Sequence, residues 1–374
     1  ADAVAAAATS EAFANQLTTL GLIASTAAFS ASTVINTSGF TASGTGGASW
    51  KQNGVTGQTA SQSPAQLGLP LLNDGSGKQW ALVPDEWVNV RVLGAKLDLI
   101  QDDLIYFNIA LANYRNVIYD ASCLVSGTVV VAIQSNFTSS YRQNFITGNF
   151  VGGPVVQMRT NYSNVFGIGV ASVGARLTSP YNNLSVGIQR GGIGASGSLN
   201  NSSITQNVVK DQPGHGIYVC GDGPSNEVIL NIVSECRGHG YLFDDGTQIG
   251  QTASRCGVVG VNLNIAQNCG GYGFATALVG GACYRLTFDD NEITDCAWNN
   301  TEITGMKDEL CYIWGQNISW KIGGVNDAQF ASTTLNNGQT RYAKAARGGG
   351  IVIAQGSQSM LFENYRILDV KSGV

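Results

Sequence analysis

Three segments of the chain align without a gap over ten residues: Asn207–Gly216 (NVVKDQPGHG), Asn231–Gly240 (NIVSECRGHG) and Asn264–Gly273 (NIAQNCGGYG). A weaker fourth copy begins at Asn291 with NEITDCAWNN. The leading asparagines are 24, 33 and 27 residues apart. A variable period in the twenties to thirties is typical of a β-solenoid, because the turns of its coils differ in length.

The cysteines follow the same period. One position of the repeat is held by Cys236, Cys269 and Cys296, and a second by Cys256, Cys283 and Cys311, with Cys220 preceding them. There is no CxxC pair and the chain has two histidines, which argues against a zinc site. Equivalent residues of stacked coils lie about 4.8 Å apart. We therefore expect reduced thiols in two inward-facing columns, each cysteine packing as a small apolar residue.

The apolar residues of the repeat alternate with polar ones. Val228, Leu230 and Ile232 do so in one copy, and Val261, Leu263 and Ile265 do so 33 residues later. This spacing predicts half-buried strands. In the fourth copy Asp290 and Glu292 break the alternation, so either the register is lost there or a turn intervenes. The repeats are rich in Val, Ile, Asn and Gly, which excludes the long Ala- and Leu-rich helices of helical repeat proteins.

Composition supports an all-β chain and excludes some partners. Of the 374 residues, 48 are glycine and 12% are charged, while 44% are hydrophobic. This pattern suits short strands and turns. The net charge of -5 argues against a nucleic-acid partner. No apolar run of about 20 residues predicts a membrane span, and no P-loop, HExxH or other cofactor or metal motif is present.

Four parts of the chain are distinguishable. Residues 1–38 are Ala-rich, with Leu17, Leu20, Ile23 and Ala27 near helical spacing, which predicts a short amphipathic helix. Residues 39–90 form a connector. Residues 91–345 hold the coils, and residues 346–374 (ending GGGIVIAQGSQSMLFENYRILDV and a short tail) supply strands that close the solenoid, whose open end must be capped.

The connector and the first coil carry a family resemblance. Residues 61–83 contain SQSPAQLG, LLND and WALV, and residues 94–103 read GAKLDLIQDD. These pieces resemble the lead-in of phage tailspikes of the pectate-lyase-like right-handed β-helix superfamily. A motif like GAKGDGxTDD, then a short helix, opens the solenoid in that family. The matching residues are Gly94, Ala95, Lys96, Asp98, Asp102 and Asp103, whereas Leu97 and Leu99 replace glycines of the motif.

The resemblance implies a right-handed parallel β-helix that assembles as a homotrimer. It also implies an N-terminal region fixed to tail or baseplate proteins of the virion, and a solenoid that meets polysaccharide on a bacterial surface. Many members of the family cleave that glycan, and some only bind it. We therefore predict a tailspike that depolymerises capsule or O-antigen without a cofactor. The alternative is a non-catalytic receptor-binding or structural tail fibre.

Cleavage of a glycosidic bond by acid–base chemistry needs two carboxyl groups. Asp222, Asp244 and Asp245 follow the glycines that end two repeat copies, so the sequence predicts that they gather at one edge. Glu235, one repeat after Asp211, offers a second pair. Both groups also have ordinary interpretations. Asp before Gly favours a solvated turn, and the column of Glu235 suits an outward polar face.

Six residues are candidate sugar contacts. His215 and His239 share one repeat position between glycines, with Tyr272 in the third copy, and we expect these side chains to point outward. Aromatic rings offer flat apolar surfaces to a pyranose, and Tyr218, Tyr241 and Trp298 lie near the same column or after it. Each aromatic residue could equally belong to the core.

Overall fold

The computed structural model describes residues 34–39, 46–148, 153–172, 191–195, 200–220, 225–243, 256–269, 272–276, 283–294 and 296. It also describes the backbone of short strands at 16–17, 311–313, 319–326, 333–334, 340–341, 352–353, 361–363 and 367–368. Among these residues, no helix is long and apolar enough to cross a membrane.

A five-stranded sheet precedes the solenoid. Its strands, in spatial order, are Gln16–Leu17, Val34–Gly39, Gly46–Gln52, Gln79–Val83 and Leu71–Asn73. Trp50 and Trp80 are fully buried in it. Helix α1 (Pro64–Leu67) begins at a capping box between Ser63 and Gln66. Because Leu17 lies in a strand, the helix predicted near the N-terminus does not run through it. Leu20, Ile23 and Ala27 lie outside the described residues.

The solenoid has three faces, and every strand pairs in parallel with its equivalents in the neighbouring coils. Face 1 consists of Val88–Asn89, Asn116–Tyr119, Asn136–Ser139, Asn164–Phe166, Ser203–Thr205, Asn226–Ile229, Cys256–Asn262, Cys283–Thr294, Ser319–Asn326 and Leu361–Glu363. Face 2 consists of Cys123–Val125, Phe145–Gly148, Gly169–Ser172, Val208–Lys210, Ile232–Ser234, Ile265–Gln267, the ends of the two long strands of face 1, and Ile367–Leu368.

Face 3 consists of Val129–Val131, Val156–Met158, Ile193–Ala195, Ile217–Val219, Tyr241–Phe243, Phe274–Thr276, Cys311–Ile313 and Val352–Ile353. A separate antiparallel pair joins Thr333–Thr334 to Thr340–Arg341. Each coil runs from face 1 to face 2 to face 3, and crossovers between parallel strands are right-handed. The architecture is the predicted right-handed parallel β-helix.

The repeat asparagines mark the corner between faces 1 and 2. Asn207, Asn231, Asn264 and Asn291 are fully buried there. The side-chain amide of Asn264 donates to Oδ1 of Asn291 over 3.0 Å, so the fourth copy keeps the register. Of the two alternatives for this copy, the intervening turn is therefore the correct one. Asp290 is the bend residue at this corner, with a φ of +49°.

Leu230 and Leu263 occupy the same bend and are not inward-facing strand residues. Their φ values are +58° and +56°, and their side chains are 40% and 49% exposed. The alternation of inward and outward side chains on face 1 ends at this left-handed residue, and a new alternation begins on face 2. Val228 before the bend and Val233 after it therefore both point into the core.

One cysteine column is confirmed, whereas in the other only Cys256 and Cys283 occupy equivalent positions. Cys236, Cys269 and Cys296 are buried in successive coils, and Cys236 and Cys269 are free thiols in the core. In the second set Cys256 does pair with Cys283. However, Cys311 pairs with Phe274 on face 3, and Cys220 follows a face 3 strand. Coils differ in length, so equal spacing along the chain does not place residues at equal positions.

The first coil is closed by helix α2 (Leu104–Asn113), as the lead-in predicts. Phe107 packs edge-on against Tyr119 and Phe137, at centroid distances of 5.6 and 5.9 Å. The buried carboxylate of Asp103 accepts the backbone N–H groups of Lys96 and Leu97, both at 2.9 Å.

Leucines replace two glycines of the lead-in motif without changing the backbone conformation expected of glycine. Leu97 and Leu99 have φ values of +51° and +62°, in the left-handed region. Leu97 is buried, whereas Leu99 is 50% exposed. At these two positions the chain therefore holds leucine side chains on a backbone conformation that normally favours glycine.

Candidate functional site

The acid-bearing segments leave face 3 from adjacent coils. Val219 ends one face 3 strand and pairs with Phe243, which ends the next. Asp222 is three residues beyond Val219, and Asp244 and Asp245 directly follow Phe243. The side chains of the three aspartates lie outside the described residues, as does Trp298. What the structure gives is the starting position of the two segments, one strand spacing of about 4.8 Å apart.

Glu235 and Asp211 lie at the corner between faces 2 and 3. Both residues, and Asn268 in the next coil, have φ values of +54° to +56° and are partly buried. The N–H of Asp211 donates to the carbonyl of Ser234, and that of Glu235 to the carbonyl of Gln267. The predicted column therefore exists, and Glu235 occupies the position equivalent to Asp211 in the next coil. A left-handed corner suits Asn and Asp better than Glu.

The two histidines are buried, so the expectation that they are exposed to a ligand on the surface is wrong. His215 and His239 are fully buried and stack at a centroid distance of 4.7 Å, and Tyr272 continues the stack at 5.2 Å. Nδ1 of His215 accepts the N–H of His239, and Nδ1 of His239 accepts the N–H of Tyr272, both at 2.9 Å. A Cβ on Gly238 would lie 2.7 Å from Nδ1 of His215, so glycine is required beside the stack.

The imidazoles are held in one protonation state. An Nδ1 that accepts a backbone N–H carries no proton, so the neutral tautomer with a proton on Nε2 fits this site. Burial lowers the pKa of His239 well below its ordinary value, and the neighbouring His215 adds to the effect. Nε2 of His239 has no hydrogen-bond partner among the described residues. The two imidazoles therefore act as buried hydrogen-bond acceptors between successive coils.

The candidate tyrosines are also buried within the chain. Tyr241 is inside the coil, stacked on Phe274 at 4.5 Å, and its hydroxyl donates to the carbonyl of Asn231 at 2.9 Å. Tyr218 lies on the outer side of face 3, yet it is 3% exposed in a small cluster with Leu242 and Tyr272. The predicted stacking surfaces are therefore not available at Tyr218, Tyr241 or Tyr272.

A polar ladder on the outside of face 1 escaped the sequence analysis. The side-chain amide of Asn164 donates to Oδ1 of Asn136, and that of Asn136 to Oδ1 of Asn116, both at 2.8 Å. Asn116 in turn donates to the carbonyl of Glu86 at 3.0 Å. The available signal was an asparagine at the start of NVIY, NFTS and NVF, at residues 116, 136 and 164.

Aromatic residues accompany this ladder. The ring of Trp87 meets that of Phe166 edge-on at 6.1 Å, and both side chains are half-buried on the outer surface. The tryptophan belongs to the connector, whereas Phe166 ends the face 1 strand Asn164–Phe166. The connector is thus packed along the outside of the β-helix by an aromatic contact that no repeat pattern could reveal.

Comparison with solved structures identifies the fold. The tailspike protein gp49 of Acinetobacter baumannii bacteriophage Fri1, a capsular polysaccharide depolymerase, matches with a TM-score of 0.53 at 11% identity, over 94% of this chain and 70% of that one. The tailspike of A. baumannii phage AM24 matches with a TM-score of 0.53 at 12% identity, over 92% and 65%. This chain has the β-helix fold of phage tailspikes.

Tailspike protein 2 of an Escherichia coli O157:H7 bacteriophage matches with a TM-score of 0.47 at 13% identity, and this chain, 93% of which is aligned, spans 51% of its length. No family model and no curated protein matches the sequence. In the described part of this tailspike fold, no group of three or more His, Cys, Asp or Glu side chains could hold a metal ion.

Proposed function

We propose that the chain is the β-helix subunit of a phage tailspike that binds and cleaves bacterial surface polysaccharide, either capsule or O-antigen. The observation that carries the proposal is the pairing of Val219 with Phe243. It starts the Asp222 segment and the Asp244–Asp245 segment side by side on adjacent coils of a tailspike fold.

The chemistry needs one protonated and one ionised carboxyl group. About 5 Å between them suits a retaining mechanism, and about 6.5–9.5 Å leaves room for the water of an inverting one. Adjacent coils are separated by about 4.8 Å and alternate coils by twice that. In the proposed reaction one aspartate protonates the leaving oxygen, and the other attacks the anomeric carbon or activates the water.

Glu235 and Asp211 form the second candidate pair. The corner that holds them precedes the face 3 strand Tyr241–Phe243, and Asp244 follows that strand. The two acidic groups therefore border opposite edges of face 3. We assign cleavage of the glycan to the aspartates that follow the strand. Glu235, the second candidate, either contacts the same glycan or supplies the catalytic carboxyl group in place of these aspartates.

The test measures polymer length after incubation with a panel of purified capsular polysaccharides and O-antigens. Cleavage by the wild-type chain, reduced at least 100-fold in Asp244→Asn or Asp245→Asn, supports the proposal. Glu227→Gln is the matched control, because Glu227 is an exposed carboxylate on face 1 and its loss leaves cleavage unchanged. Cleavage that survives all three aspartate substitutions and stops in Glu235→Gln moves the chemistry to the other corner.

A tail fibre without catalytic activity is the alternative function. In that case the same surface holds the glycan, and the polymer keeps its length while binding is measurable. Neither cleavage nor binding of any polysaccharide in the panel contradicts both forms of the proposal. In either form the chain works in a virion, with its N-terminal region attached to tail or baseplate proteins.

We further propose that three copies assemble through the corner between faces 1 and 2. Leu230 and Leu263 project there from adjacent coils, beside the partly exposed Ile232 and Ile265 of face 2. A left-handed backbone costs a leucine about 1 kcal/mol or more, whereas Gly167 occupies the same bend two coils earlier. An apolar contact with a second copy, repeated at the coil spacing, accounts for leucine at this position.

A further inference from the structure

A cleft opens between the N-terminal sheet and the first coil. It has a volume of about 220 Å³. One wall consists of the loop and strand around Val83, Asp85, Trp87 and Asn89, and the other includes Ala48. Val83 is 42% exposed and the Trp87 ring is half-buried, so apolar surface faces solvent inside a concave site.

The wall that carries Trp87 is held in place before any ligand arrives. The amide ladder from Asn164 through Asn136 and Asn116 ends on the carbonyl of Glu86, the residue before the tryptophan. Phe166 supports the indole ring itself. A ligand that uses this wall therefore avoids the entropy cost of ordering it.

The polar group of the cleft is fixed too. Oδ1 of Asn89 accepts the N–H of Arg91, and its Nδ2 donates to Asp120, whose other oxygen binds Nε of Arg91 at 2.6 Å. The guanidinium is thus committed to Asp120, and among the described residues that line the cleft none is basic. The charge in the lining is the carboxylate of Asp85.

These features select the ligand class. A half-exposed indole and a valine suit the apolar face of a pyranose, while the carboxylate and the amide suit its hydroxyl groups. The absence of a cation from the lining, together with Asp85, disfavours phosphate, uronic acids and nucleic acid. We propose that this cleft is a second saccharide site, which binds a neutral pyranose and takes no part in cleavage.

The site is tested by saturation-transfer-difference NMR on the full chain, with methyl α-glucopyranoside, methyl β-galactopyranoside and N-acetylglucosamine as probes. We expect saturation of the ring protons of at least one probe and a five-fold or greater loss of signal in Trp87→Ala. Asn116→Ala, which releases Glu86 but leaves the lining intact, reduces the signal by a smaller factor. Tyr162→Ala is the control, because Tyr162 is a 54% exposed aromatic residue outside the cleft.

Three outcomes overturn the proposal. They are no saturation of any neutral probe, an undiminished signal in Trp87→Ala, and an equal signal from glucuronate. A change of oligomeric state in Trp87→Ala, with no change in probe binding, assigns the cleft to a second copy instead. Should Trp87→Ala fail to fold, Trp87→Phe keeps an aromatic ring and is expected to weaken the signal partially. Cleavage of polysaccharide is measured separately, so a failure of the proposed function does not decide this test.

Discussion

The side-chain amide of Asn231 donates to Oδ1 of Asn264 in the next coil over 2.9 Å, and the same oxygen accepts the backbone N–H of Asn231 at 3.0 Å. Nδ2 of Asn264 donates onward to Asn291 and to the carbonyl of Val228. Every polar atom of this buried side chain is therefore used. Each asparagine of the column fixes the position of one coil on the next.

We predict that Asn264→Ala destabilises the chain strongly. The substitution removes the acceptor of the backbone N–H and of the side-chain amide of Asn231, and the donor to the carbonyl of Val228. Each such buried group left without its partner costs about 1–3 kcal/mol. A loss of at least 3 kcal/mol in the free energy of unfolding is expected from urea denaturation. Gln267→Ala, an exposed position three residues further along, should change it by less than about 0.5 kcal/mol. Equal effects at the two positions would contradict the ladder.

The sequence predicted this column, and the reason is physical. A side chain that bonds to its own equivalent must recur once per coil, so Asn231 and Asn264 stand out in the alignment. Cys236 and Cys269 recur for a similar reason, since the same core position needs a small apolar group. These repeats, with the lead-in motif, were sufficient to predict the parallel β-helix.

The orientation of a repeated residue was harder to predict. His215 and His239 recur just as regularly, but a repeat at the coil period is the same for inward and outward columns. Flanking glycines suggested exposure, whereas Gly238 leaves the space that the buried ring of His215 occupies. Likewise Leu230 resembled an inward-facing strand residue. A left-handed bend of one residue turns the chain but leaves the alternation of apolar and polar residues in the sequence unchanged.

The histidine stack makes stability depend on pH. Because the pKa of His239 is lowered on folding from its ordinary 6.5, the unfolded chain binds more protons below that pH. The contribution of His239 to stability is therefore fully present well above pH 6.5 and falls as the pH decreases through 6.5 toward 5, by at most about 1.4 kcal/mol per pH unit. Denaturant unfolding between pH 7.5 and 5 measures this dependence, above the range where most carboxyl groups titrate.

The control is the double variant His215→Asn with His239→Asn. Asparagine keeps an oxygen acceptor near the place of Nδ1 and has no proton to gain in this range. We expect a lower stability at pH 7.5, because the stacked rings are lost, and a flat profile from pH 7.5 to 5. If the stability of the wild type does not change between pH 7.5 and 5, or if that of the variant falls as steeply, the histidine stack is not the source of the pH dependence.

The proposed assembly through the corner between faces 1 and 2 can be tested at its two leucines. Replacing both Leu230 and Leu263 with Asn removes apolar surface and installs the residue that tolerates a left-handed backbone best after glycine. The double variant should keep or slightly raise the stability of the single chain while it lowers the oligomer population at micromolar concentration. Sedimentation equilibrium measures the mass. Ile100→Asn is the control, because Ile100 is 83% exposed and lies in the lead-in. A mass unchanged by the double variant would remove this corner from the interface.

The altered lead-in motif predicts an unusual response to glycine. Leu69 and Leu99 are similarly exposed, at 46% and 50%, but Leu99 alone has a positive φ, +62°. Glycine at Leu69 should cost about 0.5–1 kcal/mol through the greater freedom of the unfolded chain. At Leu99 the relief of a left-handed leucine, about 1–2 kcal/mol, offsets that cost. We therefore expect Leu99→Gly to be neutral or stabilising by up to about 1 kcal/mol in urea unfolding, and Leu69→Gly to be destabilising. A loss at Leu99 as large as at Leu69 would mean that the Leu99 side chain makes a contact whose value exceeds the backbone strain.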